Sequence, residues 1–434
     1  MLVFAAHSTE RVKYILNFLL TECLGIAYDV TDNPEYFRKS HSQKINYSHH
    51  IIEGCINIPS NNLLFQDTIV VQKIEMHAHP NWHKYFFKTP YKEVPDFKVQ
   101  TTFLPFDLLS ASFYLLSRYE EYLNESRDEH NRFKPQNSIA FKEDFLSFPL
   151  VDYWVQQFAK LLKIQYPEIV INEPSFKQIN TIDIDFAFKY KGLGLTQRAR
   201  KFSGSLLKGK VDYQPLFPPQ SDPYDTYDFL IAEARAKNIE TLFFFLLADY
   251  GAYDKNIPPH SKEMKSLVNE LSPHFTCGLH PSYKAGIDKK LHIKERSVFK
   301  SLFSKEATHS RHHFLKVRLP ESYRELEKFG ATDDYTMAYS SQIGWRASTC
   351  HSFLFYDLPQ ETTRNIRVHS PCVMDVTLRN SLDLNVTEAQ QKIAELKTQA
   401  QKVNGEFISI WHNSNFDETQ GWSNWKQVYQ SIFE

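Results

Sequence analysis

From Thr181 to Phe188 apolar and polar positions alternate. Ile182, Ile184, Phe186 and Phe188 share one side, which leaves Asp183 and Asp185 together on the other. A period of two predicts a strand. Ile169, Val170, Ile171 and Ile179 precede it, so the strand is expected in the core, where a charge needs a partner. At about 3.3 Å of rise per residue the two carboxylates stand roughly 7 Å apart, too far to share a proton and close enough to serve one centre.

The same pattern organises the rest. Leu2 to Ala5 predicts a strand, and Ser8 or Thr9 caps a helix with Val12, Ile15, Leu19 and Cys23 on one stripe and Gly25 as its stop. Short strands are expected at Val70 to Ile74 and at Phe86-Phe87. Leu104-Pro105-Phe106-Asp107 opens a helix that continues through Tyr122-Leu123. On it Arg118 and Glu121 are spaced for a helical ion pair contributing about a few tenths of a kcal/mol. Asp128 to Phe133 reads as a polar loop, and a further helix runs from Pro149 through Trp154, Phe158 and Leu162. No cluster with metal-ligand spacing precedes residue 170, so this half is expected to be structural or to serve docking. Tyr166-Pro167-Glu168 marks the predicted boundary, with a smaller α/β or α+β domain over 1–168 and a second domain over 169–434.

Beyond the boundary strands and helices alternate. Thr241 to Ala248 is a continuous apolar run, as expected of a parallel strand covered on both faces. Helices are predicted over Lys262 to Leu271, Ile293 to Phe303 and Glu321 to Phe329. Another begins at Thr387, with Gln390 closing a capping box and Ala389, Ile393, Leu396, Ala400 and Val403 on its stripe. Strands are predicted at Thr276 to Leu279, Phe314 to Val317 and Phe407 to Trp411. This alternation predicts a parallel α/β sheet or barrel.

Composition narrows the function classes. The chain of 434 residues carries 50 Lys+Arg against 51 Asp+Glu, a balance without the basic footprint of a nucleic-acid binder. Its mean hydropathy is −0.45. Five dispersed cysteines without a C-x-x-C pair predict reduced thiols and no cysteine zinc site. The first residues lack the basic and apolar regions of a secretory signal, and no apolar run of about 18 residues predicts a membrane span, so the expected compartment is the cytoplasm. Gly192-Leu193-Gly194 lacks the third glycine of a dinucleotide fingerprint, so no nucleotide cofactor is expected. Lys189 to Val211 is basic without an acid (Lys189, Lys191, Arg198, Arg200, Lys201, Lys208, Lys210), a solvated face or an attraction for an anionic substrate or a membrane surface.

In a parallel α/β fold active residues collect at the C-terminal ends of strands. Asp183, Asp185, His280 and His412 each stand at such a predicted end. Hydrolysis of an amide needs a nucleophile stronger than neutral water, which a divalent metal provides by acidifying bound water and polarising the carbonyl. The assignment is Asp185 and His280 as metal ligands, Asp183 as general base and His412 as general acid, with Arg346 holding Asp183 ionised.

The order Thr181-Ile182-Asp183-Ile184-Asp185, then His280, then Ile408-Ser409-Ile410-Trp411-His412 resembles the polysaccharide deacetylase (NodB-homology, carbohydrate esterase family 4-like) superfamily. The resemblance covers roughly 172–434 and implies a distorted (β/α) barrel, a base Asp, an Asp-His-His site for a divalent metal with zinc as the expected ion, and a late His as acid. It departs at Lys284, which stands where the family places its second metal histidine. His313 is the candidate for that role, ahead of His312, whose side chain is expected on the opposite face. Arg318 and Pro320 fall near the family's arginine–proline motif. The first half, through Leu104-Pro105-Phe106-Asp107 and Arg118-Tyr119-Glu120-Glu121-Tyr122-Leu123, resembles an uncharacterised domain that accompanies some bacterial members. The implied activity is removal of an acetyl group from an N-acetylated sugar, with a glycan or amino-sugar intermediate of envelope polysaccharide synthesis as substrate. A catalytically silent glycan-binding or assembly protein on the same fold, and a hydrolase of a non-sugar amide, are the alternatives.

Overall fold

A computed structural model describes residues 1–88, 99–207, 209 and 211–434. Of the basic stretch, Lys208 and Lys210 lie outside the described residues.

The first half forms a parallel sheet from β1 (Leu2–Ala5), β2 (Asp29–Thr31), β3 (Lys44–Tyr47), β4 (Ile56–Ile58) and β7 (Thr102–Phe103), in the order β2-β1-β3-β4-β7. An antiparallel hairpin of β5 (His77–His79) and β6 (His83–Tyr85) stands beside it. Neither Val70–Ile74 nor Phe86-Phe87 is a strand. Phe86 and Phe87 are buried, and their rings pack against Tyr114. Thr9 caps the first helix, Glu10–Leu16, by accepting from the Val12 N–H, and Val12, Ile15, Leu19 and Cys23 are all buried. The helix predicted through Leu123 is broken, because Arg118 adopts a left-handed conformation (φ 55°) between Leu108–Leu116 and Tyr119–Leu123.

The second half is built on nine strands among the described residues: β8 (Lys177–Ile184), β9 (Glu240–Phe245), β10 (Thr276–Leu279), β11 (His309–Ser310), β12 (Asp333–Asp334), β13 (Phe353–Asp357), β14 (Thr362–Val368), β15 (Val373–Met374) and β16 (Glu406–His412). Their order is β13-β14-β12-β11-β10-β9-β8-β16-β15, parallel throughout except for β13–β14. No ladder joins the end strands β13 and β15 among the described residues. The strands therefore form an open, mostly parallel sheet rather than a barrel closed by pairing. Residues 369–372 carry the chain from one flank to the other, with the His369 N–H on the Asp334 carbonyl and the Cys372 N–H on the Ile408 carbonyl.

Alternation sorts the side chains of this sheet into two cores. Ile182, Ile184, Phe243, Phe245, Phe407 and Trp411 face the helices, including Lys262–Leu271, Lys289–Phe303 and Val386–Lys402. Ile179, Leu242, Phe244, Ile408 and Tyr335 fill a smaller inner core. Asp183 and His412 belong to the inner face and lie side by side in the β8–β16 register. The last long helix starts at Val386, capped by Asn385, and its capping box uses Glu388 rather than Gln390. Phe314–Val317 is not a strand, because Phe314 and Leu315 take positive φ (62° and 52°), which an extended chain does not allow.

A continuous apolar cluster joins the halves. Tyr14 and Phe113 of the first half pack against Tyr356 of β13, with ring centroids 4.9 and 5.1 Å away. No helix among the described residues is long and apolar enough to cross a membrane.

Candidate metal centre and active site

Four strand ends deliver the site. Asp183 lies on β8 and Asp185 just past its end, His280 follows β10, His313 lies three residues beyond β11, and His412 ends β16. Asp183, Asp185, His280, His313 and His412 all line one cavity of about 270 Å³, whose walls include Phe186, Phe314, Leu315, Met374 and Val376.

The three histidines are oriented in the same way. His280 Nδ1 faces the Arg311 carbonyl. His313 Nδ1 lies 2.8 Å from Asp254 Oδ1, and His412 Nδ1 lies 2.8 Å from Asp375 Oδ1. A carbonyl or carboxylate only accepts, so each Nδ1 carries its hydrogen and each Nε2 turns inward. All three Nε2 atoms converge on Asp185: His280 at 3.2 Å from Oδ1, His313 and His412 at 3.3 and 3.6 Å from Oδ2. Asp185 Oδ1 is buried without a hydrogen-bond donor. An Nε2 lone pair facing a carboxylate at such a distance calls for positive charge between them, a proton or a metal ion. Asp185, His280 and His313 form a group whose ligand atoms lie within 4.8 Å of one another, a set able to hold a metal ion. The donor types and their buried outer partners fit a divalent ion.

The electrostatics favour positive charge at the same place. Burial pushes the Asp185 carboxyl up, but the histidines, His313 first, outweigh it and bring it well below the usual carboxylate range. Burial pulls His313 down, and Asp185 followed by Asp254 raises it to about 9. For His412 the same opposition, with Asp375 as the main partner and Asp185 next, ends at about 10.

Arg346 is elsewhere. It forms a bidentate pair with Glu121 (Nε–Oε1 2.9 Å, Nη2–Oε2 2.6 Å), not with Asp183. The cause is local: Gly344 (φ 108°) lies so close to the Leu146 carbonyl that a Cβ would overlap it, and the Trp345 N–H bonds that carbonyl at 2.9 Å. The segment Gly344-Trp345-Arg346 is thus pressed onto the first half. Arg118 joins the same buried network through Glu121 and Glu120, so the predicted pair with Glu121 is formed but lies in the core, with Arg118 at the break before the helix.

Asp183 is held instead by Arg311, whose Nη1 donates to Asp183 Oδ1 and to Thr181 Oγ1, both at 2.7 Å. Arg311 is fully buried, its Nε bonds the Tyr335 carbonyl, and its guanidinium lies 4.6 Å from the Phe244 ring centroid. Lys284 is exposed. His312 is buried with an unpartnered Nδ1, pushed down to about 3 by burial, and lies outside the metal-competent group. Arg318 is exposed and paired with Glu321. In the basic stretch Lys189 pairs with Asp417, and Lys191 with Asp225.

Arg311, Asp254, Asp375 and Arg132 are the site residues that sequence reasoning passed over. Arg311 sits two residues before His313, and Asp375 follows the short apolar run of β15, so both carried a signal. Asp254 lies in a loop without periodicity, and Arg132 in the polar loop of the first half.

Fold and site together define an α/β protein with a largely buried Asp–His–His group able to hold a metal at the C-terminal ends of its strands. Residues 1–167 match the model of a family of unknown function (DUF7033). No curated protein matches the chain. Among solved structures, a protein from Mycobacterium smegmatis provisionally described as a polysaccharide deacetylase aligns at 10% identity and a TM-score of 0.35. The alignment covers 61% of this chain and 92% of that one. A GH138 enzyme targeting pectin rhamnogalacturonan II aligns at 8% identity and a TM-score of 0.20, and the chain spans half of its length. Both likenesses are too slight to carry an inference to this chain.

Proposed function

We propose that this protein is a metal-dependent hydrolase that removes an acyl group, acetyl in the first instance, from an N-acylated sugar or glycan intermediate. The observation that supports this reading is the convergence of three Nε2 atoms on Asp185 beside a second carboxylate, Asp183, in one cavity. Asp185, His280 and His313 would hold a divalent ion, zinc being the expected one, and that ion would supply a Lewis acid for the acyl carbonyl and for water.

Asp183 takes the proton of the attacking water, its carboxylate fixed by Arg311. His412 carries a proton on Nε2 while Asp375 holds Nδ1, and it delivers that proton to the leaving amine nitrogen. Apolar walls at Phe314, Leu315, Met374 and Val376 receive the acyl chain and exclude bulk water. The exposure of Lys284 and the place of His313 beside Asp185 support His313 as the third ligand.

The test is elemental analysis of protein purified without chelator, beside Asp185→Ala, followed by acetate release from N-acetylated hexosamines and their oligosaccharides. About one metal per chain, lost in the variant, with acetate released by the unmutated protein, is the expected result. Full metal occupancy with no acetate from any N-acetylated sugar would end the deacetylase reading. Glycan binding that survives Asp183→Ala would then mark a binding protein instead.

A further inference from the structure

The cavity has one wall from the first half of the chain. Arg132 lines it together with the metal-competent residues, although about fifty positions separate it from Asp185 and its loop follows the first sheet rather than belonging to the second. The loop that carries it is pre-organised. Asp128 Oδ1 accepts the N–H groups of His130 and Arg132 at 3.0 and 2.8 Å, and Asp128 Oδ2 accepts Arg132 Nε at 2.8 Å. An antiparallel bridge between Arg127 and Phe133 closes its base.

The loop is also fastened to the segments that present the histidines. Arg132 Nη1 donates to the Phe314 carbonyl at 2.8 Å, at the turn of positive φ that follows His313. His130 Nδ1 lies 3.2 Å from the Tyr283 hydroxyl, and its ring sits edge-on against Phe314, 4.9 Å between centroids. Strain of this kind next to a site persists only where the surroundings hold it, and Arg132 is part of what holds it.

These bonds use Nε and one terminal nitrogen of Arg132 and leave Nη2 without a protein partner among the described residues. Lys316 adds a second cation. Its ammonium lies 3.8 Å from the Tyr283 ring centroid, and burial together with the charge of Arg132 holds it below the usual lysine range. Asp128 is paired with Arg132 and Asp254 also acts on Lys316, so two cations face two carboxylates here and Arg132 Nη2 is the donor left over. A guanidinium held through Nε and Nη1 keeps the N–H groups of Nη2 for a further acceptor, and an oxyanion makes the strongest such hydrogen bond.

We infer that the Asp128–Phe133 loop is a substrate-binding wall of the reaction cleft, and that Arg132 binds an anionic group of the substrate, a phosphate or a carboxylate on the acylated sugar. The inference rests on the hydrolase reading for the identity of the sugar, and it gives the first half of the chain a part in the reaction.

The test is calorimetric binding to the full zinc-supplied chain of N-acetylglucosamine, N-acetylglucosamine phosphate and N-acetylglucosaminuronic acid. One anionic sugar is expected to bind at least about tenfold more tightly than the neutral one. Arg132→Gln should abolish that preference with bound zinc unchanged, and Arg132→Lys should retain part of it. The phosphate and uronate arms tell the two anions apart. Should Arg132→Gln lose zinc through the Phe314 turn, Arg132→Lys decides instead: a weakened preference with zinc bound supports the inference and an unchanged one overturns it. Equal binding of all three sugars, undetectable binding included, would overturn the inference, as would a preference that survives Arg132→Gln. Binding needs no turnover, so an Arg132-dependent preference without acetate release would sink the hydrolase reading alone. Acetate release without any preference would sink this inference alone.

Discussion

Arg311 Nη1 lies 2.7 Å from Asp183 Oδ1 and 2.7 Å from Thr181 Oγ1, tying the end of β8 to the loop after β11. The guanidinium is planar and also bonds the Tyr335 carbonyl through Nε. A lysine ammonium cannot reproduce that fork. Arg311→Lys should therefore lower kcat for amide hydrolysis by about 10²-fold or more, the scale of a misplaced general base, with bound metal retained. Steady-state kinetics with elemental analysis on the same preparation decides it. Unchanged kcat would remove Asp183 from the role of base.

His313 owes its orientation to Asp254, which also accepts the Tyr283 N–H at 3.0 Å. Carboxylates behind a ligating histidine raise its basicity and fix its ring. Asp254→Asn is expected to weaken metal affinity by about 10- to 100-fold. A competition titration against a chelator of known affinity measures the change. Equal affinity would mean that His313 is not a ligand.

The Glu121–Arg346 pair is buried on both sides, with Arg118 on the same carboxylate. Burial pushes Glu121 up, but Arg346 and then Arg118 outweigh it and hold it at about 2. Its folded value is depressed, so its contribution is present above the ordinary glutamate range and is lost as pH falls toward 2. Glu121→Gln should destabilise the protein at neutral pH by about 3–5 kcal/mol, and the difference from the unmutated chain should shrink below about pH 4. Urea unfolding across pH provides the reading, and metal affinity should not move.

Glu295 behaves in the opposite sense. It is buried beneath the His280 loop, accepts the Ser282 N–H at 2.9 Å, and burial pushes it up to about 7. A raised folded value means stability that is full below the unfolded pKa and is lost as pH rises through 7. Glu295→Gln removes that loss, so at pH 8 the variant should be the more stable by on the order of 3 kcal/mol, with little difference near pH 4. Thermal or urea unfolding at the two pH values tests the sign, and a variant less stable at pH 8 would refute it.

Apolar runs and strand–helix alternation located β8, β10 and β16 and therefore Asp183, Asp185, His280 and His412, because burial of a strand is written in its own residues. β8 nevertheless runs from Lys177 and stops at Ile184, short of the predicted Phe188. The same patterns also marked the helices over Lys262–Leu271 and after Asn385, where an apolar stripe and a cap are local properties. What periodicity could not decide was pairing across the fold. Arg346 and Arg311 are equally plausible partners for a carboxylate when read along the chain. Only the docking of Gly344 on Leu146 sends the first to Glu121, and only the β10–β11 pairing brings the second to Asp183. The strand expected at Phe314 failed for a related reason, since its apolar residues line a cavity from a turn of positive φ held by Arg132. Hydrophobic burial is written into each segment separately. Charge partners such as Asp254, Asp375, Arg311 and Arg132 are chosen by distance in three dimensions, and distance exists only once the sheet has folded.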